Sequence, residues 1–213
     1  MGTSAPAYDS RDMNAQLPET ERLSRSSLSE RIARRISPWA LLIALAVFLL
    51  PFATVSCATP GGQGSVGAGV TAKYSGLTLA VGGDPALQAI EGRPTPGPPT
   101  ADDRVPLQPL FALALGLTAV AVMVAFRARQ RRALGVAAFA GAAAASATVG
   151  MAIVDRWLTD RIVATLARQS SPRLATTDPA TYVNADLGFF LLVLILFGTL
   201  GLNALALIRS RPA

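Results

Sequence analysis

Along the chain, apolar positions collect into four long runs, Pro38–Val55, Leu107–Phe126, Ala133–Val154 and Leu187–Ile208, and none of them contains a charged residue. A helix of about 20 residues, rising 1.5 Å per residue, crosses a hydrocarbon layer of about 30 Å. The pattern therefore predicts four membrane-spanning helices. With roughly 80 residues taken up by spans of that length, no remaining segment is long enough for a sizeable globular core. The expected fold class is all-α membrane: a four-transmembrane-helix bundle with a small extracytoplasmic β-hairpin loop.

The polar intervals have distinct characters. Residues 1–26 mix Ser, Thr, Pro and both charges and are expected to be a disordered cytoplasmic tail. Over 27–37, Ser27-Leu28-Ser29-Glu30 fits a capping box, and Leu28, Ile32 and Ile36 recur every four residues among arginines. This predicts an amphipathic juxtamembrane helix with Arg31, Arg34 and Arg35 at the lipid headgroups. The plainer role for those arginines is to fix topology. Ser37-Pro38-Trp39 reads as a helix restart, with Ser as N-cap, Pro at the first helical position and Trp as an interfacial anchor. Span 38–55 comes next, with Pro51 expected to kink or end it near Leu49–Phe52.

The 56–106 interval is expected to be an extracytoplasmic loop. Val70–Tyr74 and Leu77–Val81 both alternate, with Ser75-Gly76 between them, which predicts a hairpin. Arg93–Thr100 is a Pro-rich tether, and Asp102 and Asp103 precede span 107–126. A short Arg-rich loop, 127–132, leads to span 133–154, which is nearly half alanine and includes Gly135, Gly141, Ser146 and Gly150. Small residues let helix backbones approach closely, so this span is expected to be surrounded by the others. Its periodicity continues into 155–186 through Trp157, Leu158, Ile162, Val163 and Leu166, and the helix is expected to stop before Pro172. Span 187–208 carries Gly198 and Gly201 as a further close-contact face, and 209–213 is a cytoplasmic tail.

Charge then orients the bundle. Of 19 basic residues only Lys73 is a lysine, and twelve arginines lie in the N-terminal tail, the 127–132 loop and the C-terminus. The other seven basic residues share the first and third connections with eight acids. The positive-inside rule puts both termini in the cytoplasm. Topology explains the basic balance, so no nucleic-acid partner is expected. The bilayer is the expected partner, with a membrane protein or further copies of the chain beside it.

Candidate chemistry is sparse. Histidine is absent, which removes the usual general base near neutral pH and the commonest metal ligand. No phosphate-loop or nucleophile-elbow motif occurs. No cofactor, metal or catalytic residue is therefore expected, and the chain is read as non-enzymatic. The polar groups inside the spans are neutral: Ser146, Thr148, Thr199 and Asn203. Each is expected to be satisfied by an i−4 carbonyl or a neighbouring helix, with Asn203 as interhelical glue. Asp155, Arg156, Asp160 and Arg161 form the densest charged cluster outside the spans, and Arg156 and Asp160 have i, i+4 spacing. An ion-paired helix end is the expected role, because adjacent arginines keep the carboxylates ionised. Cys57, the single cysteine, excludes an intramolecular disulfide. Thr54-Val55-Ser56-Cys57 after an apolar run also resembles a bacterial lipoprotein signal, although Thr54 stands where a leucine-like residue is usual. Intact mass separates the lipidated three-span form from the four-span one.

Leu50-Pro51-Phe52-Ala53-Thr54-Val55-Ser56-Cys57, with Thr59-Pro60-Gly61-Gly62 and Tyr74-Ser75-Gly76-Leu77-Thr78-Leu79-Ala80-Val81-Gly82-Gly83, resembles a pattern in uncharacterised actinobacterial four-span membrane proteins. The resemblance covers about residues 50–85 and implies a defined outer feature after the first span. It carries no activity with it. The expected function is an accessory or interaction subunit of a cytoplasmic-membrane assembly. The alternatives are a small oligomeric channel or carrier and, last, a lipid-active membrane enzyme using Asp84, Glu91, Asp102 or Asp103. Cys57, Gly141, Ser146, Gly150, Asp155, Arg156, Asp160, Arg161 and Asn203 are the candidate interaction or packing residues.

Overall fold

The computed structural model describes residues 35–57, 70–89, 104–127, 132–168 and 183–210. Most of the predicted juxtamembrane helix, including Arg31 and Arg34, lies outside them, as do the Pro-rich tether, Asp102 and Asp103.

The first apolar run is not one helix. It forms α1 (Arg35–Val47) and then a strand, β1 (Pro51–Cys57). The cause is Pro51, whose ring clashes with the carbonyl four residues back, which is that of Val47, and which disfavours helical geometry at Leu50. The amides of Phe48, Leu49 and Leu50 each reach back three residues, to Leu45, Ala46 and Val47, and so tighten the last turn. Ser37 is not an N-cap either, because Arg35 and Ile36 are already helical.

The predicted hairpin is also replaced. Val70–Ser75 is a strand, β2, but Gly76–Val81 is a short helix, α2. The Ser75 hydroxyl caps it by accepting the Thr78 N–H at 3.0 Å. Gly76, Leu79 and Ala80 are buried, which is the i, i+3, i+4 spacing of a helix face and not the alternation of a strand. The strands that do pair with β2 are β1 and β3 (Ala86–Ala89). A fourth strand, β4 (Val183–Ala185), pairs with β1 on its other edge. The result is an antiparallel sheet of order β3-β2-β1-β4.

Among the described residues, three helices are long and apolar enough to cross a membrane: α3 (Pro109–Phe126), α4 (Arg132–Arg168) and α5 (Leu187–Ser210). α4 continues without interruption through the predicted span and its amphipathic extension, and it ends at Arg168, before Pro172. It packs against α3 and α5, with Ala140, Ala143, Ala144 and Ala147 fully buried or nearly so, and more of it is buried than of either neighbour. The small residues are what permit this. A Cβ on Gly150 would meet Leu110 and Phe111, one on Gly135 would meet Val124, and one on Gly141 would meet Leu200.

Those contacts fix direction. Gly150 lies by Leu110 and Gly135 by Val124, so α3 and α4 are antiparallel. Ser37 meets Asn203 while Pro51 lies against Gly188, so α1 and α5 are antiparallel too. Hence Arg35, Arg127, Arg132 and Arg209 stand at one end of the bundle and the sheet stands at the other.

Candidate functional site

The sheet end is where side chains converge. Phe52, the second residue of β1, is fully buried, and its ring meets Phe48, Phe111 and Phe189 at centroid distances of 5.4, 5.9 and 6.3 Å. It thus joins α1, α3 and α5 in one aromatic cluster. Two glycines make room for it. A Cβ on Gly76 would fall 2.5 Å from the Phe52 ring, and one on Gly188 would strike the Pro51 carbonyl.

Asp186 fastens the sheet to α5. Its backbone N–H donates to the Phe52 carbonyl at 2.8 Å. Its carboxylate accepts the Leu187 N–H and the Thr54 hydroxyl, each at 2.7 Å. A carboxylate suits this place, because the first amides of a helix lack internal partners and carry positive dipole charge.

The sheet is two-faced. Ala53, Val55, Tyr74 and Val183 are buried, with Val55 opposite Ala72 and Val183. The alternate positions are polar: Thr54 stands opposite Lys73 and Asn184, Ser56 opposite Thr71, and Thr71 opposite Gln88. Asn184 and Gln88 are exposed and Lys73 is half-buried. α4 supports β4 from below.

A second group ties the approach to α3. Arg104 Nε donates to Asp84 Oδ1 at 2.7 Å, and Nη2 donates to Oδ2 at 3.3 Å. That hydrogen bond first, and the carboxylate charge second, raise the Arg104 pKa above its ordinary value. Arg161 lies 5.1 Å from the Trp157 ring centroid and donates to the Arg104 carbonyl at 3.3 Å. Val105 exchanges both backbone bonds with Gly83.

Of the predicted charged cluster, Arg161 is tied in, whereas Asp155, Arg156 and Asp160 are exposed on α4. Among the described residues no ion pair joins Arg156 to Asp160, so the expected pair is not formed. Gly141 and Gly150 pack against α5 and α3 as expected, but among the described residues nothing lies within 4 Å of a Cβ placed on Gly198 or Gly201, so no close-contact face forms there. Ser146 is half-buried and Thr148 exposed. Two residues apart on a helix, they do not share a face. Arg35 is exposed at the start of α1. Cys57 ends β1 opposite Val70. Cleavage before it would remove Pro51–Ser56, most of the strand that pairs with both β2 and β4, and the central Phe52 as well.

Within the helices, Asn203 Nδ2 donates to Ser37 Oγ at 2.9 Å and to the Thr199 carbonyl at 2.8 Å. This joins α1 to α5 as expected of it. Thr148 bonds the Ala144 carbonyl. Thr199 departs from expectation, because its buried hydroxyl has no partner among the described residues.

Sequence reasoning missed Asp186, Thr54, Phe52 and Thr118, whose buried hydroxyl donates to the Ala114 carbonyl at 2.7 Å. Asp186 had a signal, since an Asp directly before an apolar run is an N-cap pattern. Thr54 had none, because its partner lies 132 residues away. Among the described residues no group of three His, Cys, Asp or Glu side chains is placed to hold a metal ion. No protein-family model matches the chain, and no curated protein matches it.

Proposed function

We propose that the protein is a multi-pass subunit of a bacterial cytoplasmic membrane, with its arginine end in the cytoplasm and its sheet end outside, and that it works by binding another protein through the sheet. The first apolar run is a fourth crossing beside α3, α4 and α5. The observation that carries this reading is the amphipathic sheet held on the helices at Phe52 and Asp186, with Ser56, Thr71, Lys73, Gln88 and Asn184 on the face opposite its buried Ala53, Val55, Tyr74 and Val183. A flat face of hydroxyls and amides with one lysine suits hydrogen-bonded docking more than chemistry. It is also anchored firmly, since β1 and β4 lead directly out of α1 and into α5.

Affinity capture of the tagged protein from native membranes in mild detergent, with mass spectrometry of the eluate, tests the reading. The wild type should bring down a stoichiometric partner that the doubly substituted face Lys73→Glu/Gln88→Glu does not retain. Recovery of the protein alone, or a partner indifferent to those substitutions, would sink the proposal.

A further inference from the structure

α1 is too short to cross a membrane unaided. Its roughly 13 residues rise about 20 Å, against a hydrocarbon thickness of about 30 Å. Its neighbour in space is not its neighbour in sequence. The first amides of α2 point at carbonyls of the tight turn that closes the C-terminal end of α1: Leu77 N–H donates to the Phe48 carbonyl at 2.7 Å, and Gly76 N–H donates to the Leu50 carbonyl at 3.2 Å. The two helices meet head to tail, so the positive end of one dipole faces the negative end of the other. The six residues of α2 add about 9 Å.

The exposed side of this composite is apolar. Leu49 is 67% exposed, Leu77 37% and Val81 59%. Leu107, at the start of the approach to α3, is 56% exposed, and its backbone lies against Gly82, next to Val81. Leu113 then carries the same surface along α3, at 49%. Exposed apolar side chains thus occur at the end of α1, on α2, and just before and along a helix long enough to span. Hydrocarbon requires that non-helical backbone groups find partners inside the protein, and six such groups at the break do. The amides of Phe48, Leu49 and Leu50 are bonded to α1 carbonyls. The carbonyls of Phe48 and Leu50 accept from α2, and that of Phe52 accepts from Asp186.

We infer that α2 is embedded in lipid acyl chains, facing them through Leu77 and Val81, and that it completes the crossing that α1 begins. β1 and β2 leave and re-enter this crossing at its break. The inference rests on the membrane-spanning part of the proposed function and is independent of partner binding.

Spin labels on single cysteines decide it, in a Cys57→Ser background reconstituted into phosphatidylethanolamine/phosphatidylglycerol vesicles. Collisions with oxygen, which concentrates in acyl chains, are compared with collisions with a polar nickel chelate. Leu113→Cys reports on the membrane reading alone, and Gln88→Cys gives the aqueous reference. Labels at Leu77→Cys and Val81→Cys should favour oxygen as Leu113→Cys does, and Gln88→Cys should favour nickel. If Leu113→Cys favours oxygen while positions 77 and 81 favour nickel, α2 is in water and the inference fails. Low accessibility to both reagents at 77 and 81 also overturns it, because α2 would then be covered by protein. An aqueous result at Leu113→Cys would remove the membrane reading itself.

Discussion

Asp186 sits where β4 ends and α5 begins, and its carboxylate serves both elements at once, through the Leu187 amide and the Thr54 hydroxyl. Asp186→Ala loses a cap and leaves a half-buried hydroxyl without its acceptor, so unfolding in detergent should show a loss of about 1–2 kcal/mol. Thr54→Val should cost less, about 1 kcal/mol, and the double variant should cost less than the sum, since both singles remove the same bond. Strict additivity in that cycle would mean the 2.7 Å contact carries no energy. A second pair of residues one helical turn apart should respond with opposite signs. Thr199 hides a hydroxyl that satisfies nothing among the described residues, so Thr199→Val should leave stability unchanged or raise it by up to about 1 kcal/mol. Asn203→Leu removes the bond to Ser37 and should lower stability by about 0.6–2 kcal/mol, the range of polar contacts between membrane helices. Thermal unfolding of both variants in one detergent checks the signs. Equal losses would show that Thr199 has a partner after all.

At the level of elements, close approach separates what the chain announced from what it concealed. The long helices were legible because charge-free apolar runs of that length have few other uses, and the glycines of α4 pointed correctly to tight packing against α3 and α5. Pro51 marked the break in the first run, but the strand beyond the break was not legible. Phe52–Val55 is apolar enough to continue a span, and only pairing with β2 and β4, both distant in sequence, makes it a strand. Leu77–Val81 failed for the converse reason. Its alternation imitates a strand, while helix formation depends on the Ser75 cap and on acceptors supplied by the end of α1. Partners that lie far apart in the chain leave no mark on local periodicity. The same distinction predicts how glycines on one helix differ. Gly188→Ala presses a methyl group against the Pro51 carbonyl and Phe52 and should cost about 1–3 kcal/mol through overpacking. Gly198→Ala, with nothing among the described residues within 4 Å, should be neutral or slightly stabilising through helix propensity, by up to about 1 kcal/mol. A loss at Gly198→Ala seen in native membranes but not in detergent would identify that face as a contact with another protein.

For the whole molecule, the antiparallel packing of α1 with α5 and of α3 with α4 makes orientation a single choice. Arg35, Arg127, Arg132 and Arg209 share one end, so retaining that end in the cytoplasm satisfies the positive-inside rule at every connection, whereas inversion would violate it at all of them. The sheet end offers no competing bias, since Arg104 is matched by Asp84 and acids accompany the other cations of those connections. The expected topology therefore has both chain ends inside and Gln88 outside. Because Cys57 is the only cysteine, one substitution gives a cysteine-free background for testing it. In intact spheroplasts, a membrane-impermeant maleimide should label Gln88→Cys, and externally added protease should spare a C-terminal tag until the membrane is permeabilised. The reverse pattern would put the arginines outside and falsify the topology. With Gln88→Cys outside and the C-terminal tag inside, a second tag at the N-terminus that external protease cleaves in intact spheroplasts would give an odd number of crossings. That outcome would show that the α1–β1 segment does not cross, and it would remove the contact between Ser37 and Asn203.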